Sequence, residues 1–190
     1  MKTFHESAAQ SGRSMVEMLG VLAIIGVLSV GGIAGYSMAM SKFKITKTID
    51  QVQTIITNLR TLYASQRKYT ALSATSAYNM SVLNDETYQN SKGLNPYGGE
   101  IIFGVDGDRK FTIKYTDLTP EACLKLATAD WGADASSGLV SIKTSGGAGG
   151  GAEKTFDWNG TLPADLAAAA ESCKGGTPGK NTSTVQWTFR

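Results

Sequence analysis

An uncharged apolar run from Met18 to Ser41 constrains this chain more than any other feature. It holds 24 residues without Asp, Glu, Lys or Arg. At about 1.5 Å per residue, a helix of that length crosses the hydrocarbon layer of a bilayer, which is about 30 Å thick. The alternatives are a buried core helix and a secretory signal, with Ser37-Met38-Ala39 as a weak cleavage site. The run is long for a signal sequence, so it predicts a membrane anchor.

Glu17 stands directly before this run. A carboxylate in a low-dielectric setting is costly unless a positive group pairs with it. Glu17 therefore either meets a cationic partner or lies solvated in the headgroup zone.

The apolar pattern changes after Lys42 and becomes one-sided. Six apolar residues spaced four, three, four, three and four apart form one helical seam: Ile45, Ile49, Val52, Ile56, Leu59 and Tyr63. This spacing is typical of an amphipathic helix, and it covers too few heptads to favour a coiled coil. The sequence predicts one helix from about Ser14 to about Gln66, roughly 80 Å long. Its front part is apolar all round, and its rear part is covered by a globular head.

Composition excludes several classes of function. Eighteen Lys and Arg against 16 Asp and Glu give a net charge of +2, too balanced to indicate nucleic-acid binding by bulk charge. His5 is the single histidine, which argues against histidine-based triads and metal sites. We therefore expect no enzyme activity, no cofactor and no metal. The remaining carboxylate candidates, Asp130, Asp134, Asp157 and Asp165, are scattered over predicted loops and helix starts.

The rest of the chain reads as an α+β head with an antiparallel sheet and two short helices. Strand patterns lie at 101–103, 111–115, 138–145, 154–160 and 183–190, and Asp106-Gly107 marks a hairpin turn. Asp106 and Asp108 could instead bind calcium, but a turn is the simpler interpretation. Thr119 and Pro120 begin one short helix, and 161–173 holds the other. We expect an irregular connection at 67–100 and a flexible glycine-rich loop at 146–152.

The chain has two cysteines, Cys123 and Cys173, one on each predicted short helix. Two distant cysteines in an exported chain most simply form one disulfide, with two buried free thiols as the alternative. The bridge implies that the head is exported, whereas the lysines after the apolar run favour a cytoplasmic head by the positive-inside rule. We give the cysteines more weight.

The segment from Gly12 to Glu17, followed by an apolar helix, resembles the prepilin cleavage site of type IV pilins. The likeness covers about residues 1 to 66 and leans towards the type IVb branch. It implies that a prepilin peptidase cuts between Gly12 and Arg13, and that the new terminus is N-methylated. This family usually has Phe, Met or Leu where this chain has Arg13. By analogy, Glu17 pairs with the positive terminus of a neighbouring subunit during assembly.

The resemblance implies a structural subunit without enzymatic activity that polymerises with its own copies into an extracellular pilus. It divides the chain into a leader (1–12), a transmembrane or filament-core helix (13–42), an amphipathic continuation (43–66) and a globular head (67–190). The implied partners are the prepilin peptidase and the inner-membrane pilus assembly machinery, with no nucleic acid expected. The subunit would sit in the inner membrane before assembly and on a bacterial surface afterwards. The alternatives are a type II secretion pseudopilin, a minor or tip pilin with an adhesive or DNA-uptake role, and, from another class, a membrane-anchored enzyme.

Overall fold

The structure, a computed structural model, describes residues 15–66, 68–107, 109–132, 137–176 and 180–190. The chain divides into two units after Lys42. The first unit contains the front part of helix α1 (Met15–Tyr63), which is 49 residues long and matches the predicted helix closely. The second unit, from Phe43 onward, contains the rest of α1 and the head.

The head is built on a seven-stranded sheet in which every neighbouring pair is antiparallel. The strands are β1 (Tyr88–Gln89), β2 (Lys92–Leu94), β3 (Glu100–Val105), β4 (Phe111–Leu118), β5 (Leu139–Ser145), β6 (Lys154–Asp157) and β7 (Ser183–Phe189). Their order is β1-β2-β3-β4-β7-β5-β6. The last strand in sequence is therefore central, and β7 joins the β1–β4 half to the β5–β6 half. The α+β class and the antiparallel sheet are confirmed.

In the described part of the head, three short helices accompany the sheet: α2 (Ala74–Asn79), α3 (Pro120–Ala127) and α4 (Leu166–Ser172). The predicted start of α3 is confirmed, since the Thr119 hydroxyl accepts a hydrogen bond from the Ala122 N–H at 3.1 Å and Pro120 is the first helical residue. Asp165 caps α4 in the same way through the Ala168 N–H, at 2.9 Å. Each cap satisfies a donor that the first helical turn leaves unpaired.

The expectation of an irregular connection at 67–100 is wrong in part. This stretch contains α2, β1 and β2. A reciprocal pair of serines, Ser73 and Ser76, caps α2. Asn90 and Ser91 both have positive φ, as a two-residue type I′ hairpin requires, and they connect β1 to β2. The predicted turn after Leu94 is present, with the Asn95 N–H bonded to the Gly99 carbonyl at 2.9 Å.

The core of the head lies between the rear of α1 and the sheet. Val52, Ile55 and Leu59 of α1 are at most 1% exposed, and they belong to one cluster with the inward side chains of β4 and β7. The seam prediction located this face but omitted Ile55. Trp187 is fully buried and meets Tyr115 and Trp131 edge-on, with ring centroids 5.6 and 5.1 Å apart. Such edge-to-face pairs add to the stabilisation from burial alone.

Candidate functional site

The front part of α1 is apolar on all sides and exposed on all sides. Its large side chains are between 50% and 84% exposed over 15–38. Among the described residues, α1 is the one helix long and apolar enough to cross a membrane, judged by length and composition. A helix that is hydrophobic all round is stable only when lipid or protein covers it. This surface is therefore a candidate membrane and assembly surface.

The polar groups inside this segment are already satisfied by the helix itself. Ser29 donates to the Ile25 carbonyl at 2.7 Å, and Ser37 donates to the Ala34 carbonyl at 2.9 Å. A hydroxyl that bonds to its own helix needs no water, so both serines are compatible with lipid or a filament interior.

The glycines of this segment have no packing role within one chain. A Cβ added at Gly20, Gly26, Gly31, Gly32 or Gly35 would meet nothing within 4 Å. Small residues at such spacings let helices approach closely in an apolar environment. These positions are therefore open for close contacts with helices of other molecules.

Glu17 lies in the first turn of α1. The predicted cleavage residues, Gly12 and Arg13, lie outside the described residues. The roles of Gly12, Arg13 and Glu17 therefore stay predictions.

The two cysteines form the predicted disulfide. Cys123 lies within α3 and Cys173 caps the C-terminal end of α4, with their Cα atoms 5.7 Å apart. Both are at most 1% exposed. The bridge closes a loop with a sequence separation of 50, which contains β5, β6 and α4. The Cys173 carbonyl also accepts a hydrogen bond from the Ser183 hydroxyl at 2.8 Å, so the bridge is fastened to the central strand β7.

The glycine-rich loop beside the disulfide packs against the end of α4. The Gly151 N–H donates to the Lys174 carbonyl at 2.7 Å, and the Gly146 N–H donates to the Gly151 carbonyl at 3.0 Å. A Cβ at Gly151 would collide with the main-chain carbonyls of Glu171 and Ser172. The composition predicted a loop, but it could not show that the end of α4 lies against the loop backbone.

Two consecutive hydrogen bonds connect α1 to the sheet through Tyr115, which is fully buried. The Tyr115 hydroxyl donates to Gln51 Oε1 at 3.0 Å, and Gln51 Nε2 donates to the Leu94 carbonyl at 3.2 Å. Burial raises the pKa of Tyr115 well above its ordinary value. Sequence reasoning missed this link because Gln51 lies next to the seam rather than in it.

Burial also raises the pKa of Tyr97 to about 12, with a smaller contribution from Glu121.

The carboxylates considered for catalysis have local structural roles. Asp165 caps α4, Asp157 accepts from the Asn159 N–H at 2.9 Å, and Asp130 accepts from the Gly132 N–H at 2.9 Å. Asp134 lies outside the described residues. Within the described part of the chain, no group of three or more His, Cys, Asp or Glu side chains could hold a metal ion.

The turn considered as a calcium site is a hairpin turn between β3 and β4. The Asp106 N–H donates to the Lys110 carbonyl at 3.0 Å, and Gly107 has a φ of 75°. Asp108, the second proposed ligand, lies outside the described residues.

Comparison with known proteins places the chain in a family. The family model described as Bundlin matches residues 38–190. The chain is 28% identical over 173 residues to a "Major structural subunit of bundle-forming pilus" from Escherichia coli O111:H-, covering 87% of this chain and 88% of that protein. It is 29% identical over 138 residues to a protein of the same description from Escherichia coli O127:H6 (strain E2348/69 / EPEC), covering 70% and 72%.

Two solved structures share the fold. One is TcpA, a type IV pilin from Vibrio cholerae El Tor biotype, with a TM-score of 0.54 and 15% identity over 77% of this chain and 99% of that chain. The other is a type IVb pilin from Salmonella typhi, with a TM-score of 0.53 and 17% identity over 76% and 99%. The chain belongs to the Bundlin family and has the α+β fold of type IV pilins.

Proposed function

We propose that this chain is a structural subunit that polymerises with its own copies into an extracellular type IV pilus. The observation that carries the proposal is the front of α1, a long helix segment exposed and apolar on every side. Burying that surface against identical helices removes it from both water and lipid, and the process needs no chemistry. The two relatives that are described as major structural subunits of a pilus support a major rather than a minor or tip role.

Assembly begins with processing. A prepilin peptidase removes the leader (1–12) by cutting between Gly12 and Arg13, and leaves 13–42 as the filament-core helix. Until then the subunit is anchored in the inner membrane, from which the assembly machinery extracts it. Segment 43–66 and the head (67–190) then lie on the outside of the fibre at the bacterial surface.

Glu17 sets the register of each incoming subunit. Inside an apolar filament an unpaired carboxylate costs several kcal/mol, and the positive terminus of a neighbouring subunit removes most of that cost. The disulfide-closed head supports a pilin over a pseudopilin of a type II secretion system.

The test combines two substitutions with mass analysis of fibres sheared from cells. The fibre subunit is expected to begin at Arg13, to carry one added methyl group and to lack two hydrogens because of the disulfide. Glu17→Gln should leave processed subunits in the membrane with few fibres, and Gly12→Asp should leave the leader attached. Ser14→Ala, close to both positions, is the control and should assemble normally. Normal fibres from both Glu17→Gln and Gly12→Asp would contradict the proposal.

A further inference from the structure

Four basic residues line an open pocket beside the end of α1. The pocket has a volume of about 440 Å³, and its basic residues are Arg60, Lys68, Arg109 and Arg190. They come from α1, the connection after it, the β3–β4 turn and the residue after β7. The sequence shows no basic cluster, because these residues are far apart along the chain. Arg67 and Asp108, their sequence neighbours, lie outside the described residues.

Arg60 is held in place by the fold. Its Nη2 donates to the main-chain oxygen of Arg190 at 3.1 Å, and its guanidinium lies over the Phe189 ring, 5.5 Å from the centroid. A Cβ at Gly138 would overlap this guanidinium, so that glycine makes room for it. Arg60 Nε is buried and has no hydrogen-bond partner among the described residues. A cation fixed in this way loses little conformational entropy when it binds an anion.

Aromatic rings form the other wall of the pocket. Tyr63 and Tyr69 both line it, with ring centroids 5.0 Å apart, and Tyr69 in turn packs on Phe111 at 4.8 Å. The Tyr63 hydroxyl donates to the Thr70 carbonyl at 3.0 Å, which fixes the ring. Flat rings next to cations offer an apolar surface for the non-ionic part of a ligand.

We propose that this pocket binds a phosphomonoester group carried by a sugar-sized molecule, a role separate from pilus assembly. Among the described residues, the side chains that line the pocket include four cations and no carboxylate, and two of these cations, Lys68 and Arg190, also have partners of their own. A phosphomonoester carries a charge near −2 at neutral pH and offers three acceptor oxygens, so it can meet several guanidinium groups at once. A carboxylate carries half that charge on two oxygens. The volume exceeds that of a phosphate alone and lies within the range of small-molecule sites.

The experiment is isothermal titration calorimetry on the full-length protein in detergent, with glucose 6-phosphate as the probe. Glucose and glucuronate serve as the neutral and the carboxylate ligands of matched size. We expect saturable binding of glucose 6-phosphate that weakens as salt is added, at least roughly ten-fold weaker binding of glucuronate, and none of glucose. Inorganic phosphate is titrated as well. Weaker binding of inorganic phosphate than of glucose 6-phosphate would support a contribution of the tyrosine wall. Equal affinity of the two would overturn the assignment of a sugar-sized ligand.

Two substitutions at neighbouring residues distinguish binding in the pocket from general attraction to the charged surface. Arg109→Gln removes a lining cation, and Lys110→Gln removes an exposed cation one residue away that does not line the pocket. The turn that holds both is closed by a main-chain hydrogen bond, which neither change touches. Arg109→Gln should weaken glucose 6-phosphate binding about ten-fold, as expected for one lost charge-assisted contact, and Lys110→Gln should leave it unchanged. Absence of saturable binding, equal binding of glucuronate, or equal losses in the two variants would overturn the proposal.

Discussion

At the scale of single residues, Gly151 tests whether the glycine-rich loop packs against the end of α4. Replacing Gly151 by Ala places a Cβ against the main-chain carbonyls of Glu171 and Ser172, which cannot move without shifting the end of α4. We expect a loss of about 1–3 kcal/mol in the free energy of unfolding, as for overpacking elsewhere. Urea unfolding followed by circular dichroism measures it. Gly175→Ala is the matched control, because its Cβ would meet Pro120 at an ordinary 3.4 Å. Equal stability of the two variants would contradict the described packing.

We expect Tyr97 to lower the stability of the head as the pH rises into the alkaline range. Its pKa is raised by burial from 10.0 to about 12 in the folded protein. Between these pH values the unfolded chain releases a proton that the folded chain keeps, so the free energy of unfolding falls as pH rises. This contribution is fully present below pH 10 and is lost by about pH 12.

The comparison of Tyr97→Phe with the parent protein isolates this effect. The ring that Lys44 Nζ approaches at 5.6 Å from the centroid is kept, whereas the titrating hydroxyl is removed. We expect the variant to lose less stability than the parent between pH 10 and 12, measured by urea unfolding at a series of pH values. Identical pH dependence of the two proteins would show that Tyr97 does not titrate as described. Tyr115, whose pKa is also raised by burial, still titrates in both proteins.

At the scale of elements, the disulfide is the main cross-link of the head. It connects α3 to the end of α4 across a sequence separation of 50. In the chain-entropy model, a loop of that length stabilises the folded state by about 4 kcal/mol. The double substitution of Cys123 and Cys173 by Ala should therefore lower the free energy of unfolding by about that amount, measured by urea unfolding. The parent protein in a reducing agent should lose a similar amount, and an unchanged midpoint in both cases would contradict the cross-link.

The elements that the sequence predicted are those with a strong local signal. Three predicted features depend only on residues close together in the sequence, and all three are present. They are the seam of α1, the cap at Thr119 and the alternation in β7. Helix α2 was missed because it has only six residues and is capped by two serines. Serines are as common in loops as at helix caps, so they do not by themselves indicate a helix. The turn at Asn90-Ser91 did carry a signal, since Asn tolerates the positive φ that a tight hairpin requires.

The features that the sequence could not predict depend on contacts between distant segments. The basic pocket joins Arg60 to Arg109 and Arg190, and the central place of β7 between β4 and β5 is equally non-local. No sequence pattern within a single segment predicts the pocket or the position of β7. The cysteine pair is the exception, because two cysteines allow a single intramolecular pairing.

At the scale of the whole molecule, the chain combines a unit from Phe43 onward that has a buried core with a helix segment that has none. The head has a buried core and a disulfide. The front of α1 has exposed apolar side chains, serines bonded to their own helix and glycines that face open space. Burial of the segment therefore has to come from outside the single chain. In the proposed function it comes from lipid first and from other copies afterwards.

This division predicts that one glycine can affect assembly without affecting the single chain. In Gly35→Leu the new Cβ has no neighbour within 4 Å in the chain, and position 35 lies outside the unit that begins at Phe43, so unfolding of the head should be unchanged. Leucine also favours helix more than glycine, by roughly 0.5–1 kcal/mol, so α1 itself should not suffer. A bulky residue at a close helix contact should nevertheless reduce fibre yield, because neighbouring helices can no longer approach. Gly35→Ala keeps a small side chain and is the control. Quantifying sheared fibres from both variants decides the point, since normal yield from Gly35→Leu would place Gly35 away from the contacts between subunits.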